Sequence, residues 1–267
     1  MKNSTIRLAL AGICSMLPAI SLAHNVWLLP SSTVLSKAET ITVDAAVSND
    51  LFVFNYLPLA LENLSVRAPD GSSVTIDNPH RGKLRSVFDL KLQQTGTYQL
   101  TITNRGAFAT YRLNGENKRW RGAPEALATA IPKEATDLVV TENFGRVETF
   151  VSLGNPGAVP ARNSGLELLA VSHPNDLVQG QSASFQLIAD GKPAPDIEVN
   201  IIRGGTRHRN RLDNISMKTG ADGKFTVTWP EAGMYWLEAE LTDKNTSIPQ
   251  ATQRRLSYAA TLEVTPE

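Results

Sequence analysis

Apolar and polar residues alternate with a period of two along much of this sequence, in short runs bounded by Gly, Pro, Asn and Asp. Because successive side chains of a β-strand point to opposite faces of a sheet, such alternation is typical of strands with one buried face. One segment, residues 123–131, has a helical composition instead, with Pro124 at a first-turn position and Pro132 ending it. The sequence therefore predicts an all-β protein with one short helix. The clearest strand runs are Thr40–Val47, Ser65–Arg67, Tyr98–Thr103, Ser184–Ile188, Ile197–Ile202 and Lys224–Trp229.

A pattern of large apolar residues occurs twice and suggests two similar units. It reads F-x-L-x-L-x-x-x-G-x-Y-x-L over residues 88–100 and F-x-V-x-W-x-x-x-G-x-Y-x-L over residues 225–237. Each copy predicts a strand, a turn with Gly and a second strand, downstream of an Asp-Gly turn. We expect two immunoglobulin-like β-sandwich domains, residues 24–160 and 161–267, with the boundary in the turn-rich segment 154–165. Unrelated β-hairpins in the two halves would produce the same pattern.

Residues 1–23 have the three parts of a secretory signal peptide. Lys2 and Arg7 give a positive start, residues 8–17 are mostly apolar, and the sequence Ser-Leu-Ala at 21–23 is a small-x-small cleavage site. Cleavage after Ala23 removes the only cysteine, Cys14, so we expect a mature chain without disulfides. No later run approaches the ~20 apolar residues of a membrane span. These features predict a periplasmic protein that begins at His24.

Composition and motifs exclude several classes of function. The chain has 26 Lys+Arg and 26 Asp+Glu, and loss of Lys2 and Arg7 leaves 24 − 26 = −2, so nucleic acid is not an expected partner. A single cysteine excludes zinc-ribbon, iron–sulfur and thioredoxin-type sites. The G-x-S-x-G, H-E-x-x-H, P-loop and Rossmann motifs are all missing from the sequence. We therefore expect a protein that is not an enzyme.

The predicted new N-terminus is the strongest candidate for a metal ligand. Once the signal peptide is removed, His24 offers an α-amine and an imidazole Nδ1 that can chelate one ion, a donor set suited to copper or nickel. His80 follows Pro79 and His173 precedes Pro174, so both are expected in turns, where they are free to supply the next nitrogen. The alternative is that these histidines, and His208, are ordinary surface residues.

Two stretches are basic, residues 118–121 and 203–211 (the basic stretch, Arg-Gly-Gly-Thr-Arg-His-Arg-Asn-Arg). In a periplasmic protein the basic stretch is compatible with an anionic glycan, a lipid head group or an anionic chelate. A solvated loop whose charges are balanced by nearby acids is the simpler interpretation. Trp229 and Trp236 lie in or beside the repeated pattern and are expected to pack in the core.

Several segments together resemble the DUF4198 family of exported bacterial proteins, which is akin to the periplasmic components of nickel/cobalt uptake systems. The resemblance lies in residues 24–33, which begin His-Asn-Val-Trp, and in residues 43–52, 172–177, 220–230 and 233–236. It implies a carboxypeptidase-regulatory-like or immunoglobulin-like β-sandwich at the C-terminal end and a role in transition-metal handling. It also implies a partner, either an inner-membrane metal transporter or an outer-membrane receptor.

The resemblance has one departure. Relatives often carry histidines just after the Asn-Asp-Leu-Phe sequence, where this chain reads Val-Phe-Asn-Tyr-Leu-Pro at residues 53–58. The expected function is binding or presentation of nickel, cobalt or copper, or a chelate of the metal, through His24 with His80 or His173. The alternatives are a metal-free structural or interaction module of the cell envelope and a histidine-brace copper oxidase.

Overall fold

The computed structural model describes residues 24–267, and β-strands dominate them. The predicted signal peptide, its cleavage site and Cys14 fall on residues 1–23, outside the described residues. The strands of the first half are β1 (Asn25–Pro30), β2 (Val34–Leu35), β3 (Thr40–Ser48), β4 (Leu57–Pro58), β5 (Leu64–Arg67), β6 (Ser73–Val74), β7 (Asp77–Arg81), β8 (Ser86–Lys91), β9 (Gly96–Leu113), β10 (Glu116–Gly122) and β11 (Thr136–Leu153).

The strands of the second half are β12 (Leu166–Ala170), β13 (Ser182–Ala189), β14 (Lys192–Pro193), β15 (Glu198–Arg203), β16 (Ile215–Lys218), β17 (Lys224–Thr228), β18 (Gly233–Asp243) and β19 (Gln253–Val264). A 3-10 turn (Pro124–Ala126) runs into the four-residue helix α1 (Leu127–Ala130), where the sequence predicts a helix, and a second 3-10 turn covers Thr206–His208. Among residues 24–267, no helix is long and apolar enough to cross a membrane. The predicted all-β class is confirmed.

The strands form one central sheet with an outer sheet on each face. The central sheet has the order β16-β15-β18-β19-β11-β9-β5-β6, with β10 added to β9 and β2 to β11. One outer sheet has the order β1-β3-β8-β7 with β4 on β3, and the other has β12-β13-β14 with β17 on β13. Along β11, Val147 and Val151 belong to the core beneath the first outer sheet, whereas Phe144 and Phe150 belong to the core beneath the second. Because side chains alternate along a strand, the two outer sheets cover opposite faces.

A parallel strand pair joins the two halves of the chain into one sheet. β11 from the first half pairs with β19 from the second half over nine residue pairs, from Thr141↔Gln253 to Thr149↔Thr261. Each half nevertheless has its own hydrophobic core, and no strand lies between Leu153 and Leu166 in the segment proposed as the boundary. The division into two domains remains a prediction.

Each copy of the repeated pattern forms a turn that connects an outer sheet to the central sheet. In each copy the first strand lies in an outer sheet (β8 or β17) and the second in the central sheet (β9 or β18), so the turn between them crosses from one layer to the other. The tyrosine of each copy fixes this crossing: the Tyr98 hydroxyl accepts backbone N–H bonds from Gln93 and Gln94 at 3.0 and 2.8 Å, and the Tyr235 hydroxyl donates to the Glu231 carbonyl at 2.7 Å. Trp229 is fully buried and Trp236 nearly so, as predicted.

A buried ion network fixes the connecting segment to the central sheet. The Glu148 carboxylate accepts bonds from Arg146 at 3.1 Å and from the Tyr258 hydroxyl at 2.9 Å, and Arg146 also donates to the Ser164 carbonyl at 2.7 Å. Burial, reinforced by the neighbouring Glu148 charge, raises the pKa of Tyr258 well above its ordinary value, so its hydroxyl stays protonated and can donate. Glu167 accepts the backbone N–H of Ser164 at 2.6 Å. These contacts attach Ser164 and Glu167 to Arg146 of the central sheet.

Candidate metal centre

His24 lies immediately before β1, with its side chain exposed and its ring held on two sides. Its Nδ1 is 2.9 Å from Oδ1 of Asn49, and the ring stacks on Tyr56 with centroids 4.0 Å apart and planes inclined by 25°. Since an amide oxygen can only accept, this contact places the ring proton on Nδ1 and leaves the lone pair on Nε2. The imidazole therefore combines a defined orientation with access from solvent.

The loop that holds the imidazole, residues 49–56 (the 49–56 loop), is cross-linked by its own polar side chains. The Asn49 backbone N–H donates to Oδ1 of Asn55 at 3.0 Å, and Nδ2 of Asn55 donates to the Asp50 carboxylate at 2.7 Å. Phe52 adopts a left-handed backbone conformation with φ of 58°, which reverses the chain inside the loop. Asn49 and Tyr56 are thus brought to the same imidazole from positions seven residues apart.

A small aromatic core fastens the candidate centre to the rest of the molecule. Trp27 is fully buried, makes an edge-on contact with Phe52 at 5.5 Å between centroids, and donates its indole N–H to the Ser48 hydroxyl at 2.9 Å. From the second half of the chain, the Trp236 indole N–H donates to the carbonyl of Val26 at 2.9 Å. Because β1 is held by both halves, the position of His24 is set by the tertiary fold and not by its own short strand.

His80 lies in a strand, so the prediction of a turn is wrong at this residue. It is in β7, an edge strand of the first outer sheet, where it pairs with Val87 and is exposed. The pairing of β7 with β8 is irregular between Asp77 and His80, which accommodates Pro79. Proline is tolerated at such an edge position because its missing N–H is not needed there.

His173 lies in a turn, as predicted, but both of its ring nitrogens are engaged. Nδ1 accepts the backbone N–H of Asn175 at 3.0 Å, and Nε2 lies 2.9 Å from both the Gly157 carbonyl and the Thr97 hydroxyl. Burial lowers the pKa of His173 below its ordinary value, although the hydrogen bond to Gly157 and the charge of Asp176 act in the opposite direction. A metal ion could reach this ring only by replacing one of these partners.

The structure gives the three predicted ligands separate surroundings. Within residues 24–267, no group of three or more His, Cys, Asp or Glu side chains is arranged to hold a metal ion. The hydrogen-bond and stacking partners of the His24 ring are Asn49 and Tyr56, so in the structure neither His80 nor His173 contacts it.

The basic stretch is a surface loop in which the arginines have different roles. Arg203 forms an ion pair with Glu231 at 2.7 Å. Arg209 turns inward and donates to the carbonyls of Arg203, Gly204 and Leu212 at 2.7, 3.0 and 3.2 Å. Arg207, His208 and Arg211 remain exposed, and in the described part of the chain neither arginine has a salt-bridge partner.

The sequence did not single out the two residues that contact the His24 imidazole. Asn49 lies inside residues 43–52, a segment considered only for the family resemblance, and Tyr56 lies in residues 53–58, where the sequence departs from that resemblance. The stacking of Tyr56 on His24 places that segment directly beside the candidate ligand. The segment that departs from the family pattern is thus the one that contacts the candidate ligand.

Comparisons with known proteins define the family but no activity. A family described as "Domain of unknown function (DUF4198)" matches residues 21–243. The sequence matches no curated protein sequence. Among solved structures, the adhesin InvE of Yersinia pseudotuberculosis is 15% identical, with a TM-score of 0.23, over 89% of this chain and 58% of the adhesin. This chain therefore spans little more than half the length of that adhesin.

Two further structures align over similar lengths of this chain. The D0-D1 domain of intimin is 13% identical, with a TM-score of 0.22, over 88% of this chain and 97% of that domain pair. Trypsin-activated alpha-2-macroglobulin from Escherichia coli is 12% identical, with a TM-score of 0.22, over 90% of this chain and 16% of that protein. At these TM-scores the similarities say nothing about what this chain binds.

Proposed function

This chain belongs to the DUF4198 family, and we propose that it is a periplasmic, non-enzymatic protein that binds nickel, cobalt or copper and presents the ion for uptake. The observation that carries the proposal is the state of His24: its imidazole is exposed to solvent, and stacking on Tyr56 orients the ring. A pre-oriented ligand loses less conformational entropy when it binds an ion. Removal of residues 1–23 would add an α-amine beside this ring.

Chelation through the α-amine and Nδ1 requires one local exchange. Nδ1 lies 2.9 Å from Oδ1 of Asn49, an acceptor that favours the tautomer with the proton on Nδ1, so this contact must break and the proton must leave before Nδ1 can bind a metal ion. The stacking on Tyr56 does not involve either ring nitrogen and can persist in the complex. Affinity should therefore fall at low pH, because both ligand nitrogens must be unprotonated.

A chelate of two protein nitrogens leaves most of the coordination sphere open, and that suits a protein that hands the ion to a transporter or receptor. His80 or His173 is proposed as the source of a third nitrogen. Of the two, His80 has the more accessible side chain, whereas His173 would have to give up Asn175, Gly157 or Thr97. Substitution of each histidine separately decides between them.

A metal-free interaction module of the cell envelope is the second candidate. It is favoured by one observation: residues 24–267 contain no ready-made group of three metal ligands. In this case the exposed His24–Tyr56 surface would contact a partner protein directly. The two candidates differ in whether metal ions bind to the isolated protein.

Calorimetric titration of nickel, cobalt and copper into the processed protein tests the proposal. The protein should be untagged, secreted by its own leader, and verified by mass spectrometry to start at His24. We expect one ion per chain, and loss of that binding when a single alanine precedes His24 or when His24 is replaced in His24→Gln. His208→Gln, at an exposed histidine of the basic stretch, is the matched control and should bind normally. Binding that survives the added alanine would contradict the proposed chelate.

A further inference from the structure

The basic stretch and the candidate metal centre are linked by one residue, Phe52. The position that a Cβ of Gly204 would occupy is only 2.8 Å from Cδ2 of Phe52, so the phenyl ring packs directly on the backbone of Gly204. Any side chain at position 204 would displace that ring. The same 49–56 loop holds the His24 imidazole through Asn49 and Tyr56.

These contacts limit how far apart the two features can be. Phe52 is three residues from Asn49 and four from Tyr56, and four residues of fully extended chain span at most about 14 Å. The loop turns at Phe52, where φ is 58° and the Val53 N–H donates to the Asp50 carbonyl at 3.2 Å, so the backbone separation of these residues is shorter than that limit. The root of the basic stretch and the His24 imidazole therefore pack on the same short loop.

The shape of the basic stretch directs some of its charges outward. The Arg209 guanidinium donates hydrogen bonds to the carbonyls of Arg203, Gly204 and Leu212, and these bonds close the loop. Arg203 is neutralised by Glu231. What remains at the surface is Arg207, His208 and Arg211, and within residues 24–267 neither of these two arginines forms a salt bridge. A set of exposed cations without partners attracts an anion.

We infer that the ligand of this site is an anionic complex of the metal ion with a small carboxylate-bearing chelator. His24 fills the coordination positions that the chelator leaves free, and the carboxylates of the chelator contact Arg207 and Arg211. The inference rests on the proposed function, because it places the metal at His24. It also explains how a metal ion can be held at His24, whose ring contacts no other histidine, since the small molecule supplies further ligands. The same arginines would weaken the binding of a bare divalent cation without preventing it.

Nickel complexes of two synthetic chelators test this inference with the processed, untagged protein. Nickel nitrilotriacetate is singly negative and leaves two coordination positions free, which the α-amine and Nδ1 can fill. Nickel iminodiacetate is neutral and leaves three positions free. At low salt we expect the anionic complex to bind about three- to tenfold more tightly than the neutral one, because two exposed charge contacts contribute an effect of this size. Added salt should reduce the difference by screening these charges.

The double variant Arg207→Gln/Arg211→Gln should remove this advantage and leave the affinity for nickel iminodiacetate unchanged. Arg119→Gln/Arg121→Gln on the edge strand β10 is the matched control, since it removes the same charge from another exposed basic segment. An anionic complex that binds no better than the neutral one, or an advantage that survives in Arg207→Gln/Arg211→Gln, overturns the inference.

The same titrations separate failure of the inference from failure of the proposed function. If free nickel and nickel iminodiacetate bind through His24 but charge has no effect, the proposed function stands and the inference is wrong. If free nickel does not bind while nickel nitrilotriacetate binds in a manner that needs both His24 and the arginines, the ligand is the chelate alone, and the inference holds. If neither complex nor free nickel binds, both are wrong.

Discussion

The imidazole ring of His24 lies against the phenol ring of Tyr56, with centroids 4.0 Å apart. These residues are 32 positions apart in the sequence, and the contact exists because β3 and the 49–56 loop return the chain to the start of β1. A stacked pair of this kind contributes about 0.5–1.5 kcal/mol beyond the burial of its surface. The ring is therefore oriented before any ligand arrives.

Replacing Tyr56 should weaken metal binding. In Tyr56→Ala the His24 ring loses its stacking partner and gains rotational freedom that must be lost again on binding, so we expect nickel affinity to fall by about two- to tenfold. Calorimetry on the processed protein measures the change. Tyr111→Ala, on β9, removes a partly exposed tyrosine from a different part of the chain and should have no effect. Unchanged affinity in Tyr56→Ala would show that the stacking does not position the ligand.

Replacing Asn49 should have the opposite effect. Oδ1 of Asn49 holds the proton-bearing Nδ1 of His24 at 2.9 Å, and a metal ion bound at Nδ1 has to displace it. In Asn49→Ala this competing hydrogen bond, with a net value of about 1 kcal/mol, is gone, so nickel affinity should rise by roughly fivefold. Asn104→Ala, at an exposed site in β9, is the control. A lower affinity in Asn49→Ala would contradict chelation through Nδ1.

Local pattern was sufficient to predict the strands but not how they associate. The alternation over Thr40–Val47 corresponds to β3, and the glycines of the Asp-Gly turns have the expected positive φ, +86° at Gly71 and +77° at Gly223. By contrast, β9 continues to Leu113, well past the predicted end at Thr103, because the exposed pair Asn104 and Arg105 interrupts the alternation without ending the strand.

The features that build the candidate centre are long-range, and for that reason the sequence does not disclose them. The parallel pairing of β11 with β19 joins residues more than a hundred positions apart, and nothing in either segment specifies its partner. The same holds for the bond from Trp236 to Val26. His24 could be nominated from the cleavage site, whereas Asn49 and Tyr56 become relevant only after the chain has folded.

Breaking the buried ion network should strongly destabilise the protein. The side chains of Glu148 and Arg146 are 1% and 2% exposed, so Glu148→Ala leaves the Arg146 charge buried with one carboxylate partner fewer. We expect the free energy of unfolding to fall by about 3–5 kcal/mol, measured by urea denaturation. Glu62→Ala breaks the pair with Arg81, whose side chains are 74% and 58% exposed, and should change stability by no more than about 0.5 kcal/mol. Similar decreases in the free energy of unfolding for the two variants would mean that burial does not determine how much an ion pair contributes to stability.

Stability should decrease as the pH falls below about 6.5, in part because of His173. Burial lowers the pKa of His173 in the folded protein from the ordinary value of 6.5. Below that value the unfolded chain takes up the proton first, so the free energy of unfolding decreases as the pH falls towards the lowered pKa of the folded state and is constant at this residue below it. Above 6.5 both states are neutral at this residue and its contribution is constant.

Urea denaturation at pH 7.5 and pH 5.5 measures this effect. His173→Gln, which keeps hydrogen-bonding capacity, should lose less stability between the two pH values than the unaltered protein does. His208→Gln removes an exposed histidine and should behave like the unaltered protein. An identical pH dependence in His173→Gln would contradict a role for this imidazole.

The Asp-Gly turn before the second crossing should depend on Gly223 for two separable reasons. Its φ of +77° disfavours any side chain, and a Cβ would lie 2.4 Å from the backbone carbonyl oxygen of Leu187, an atom held in the sheet. Gly115, in the turn between β9 and β10, has a similar φ of +81° but nothing within 4 Å of its Cβ position. Gly115→Ala should therefore cost only the backbone strain, roughly 1 kcal/mol, and Gly223→Ala should cost about 3 kcal/mol or more because overpacking is added to it. Urea denaturation of both variants measures the two losses of stability. The difference between them is the cost of the contact between the new Cβ and the Leu187 carbonyl, separate from the cost of the positive φ. Equal losses would mean that β13 moves away from a side chain at position 223, so that the close approach adds no cost of its own.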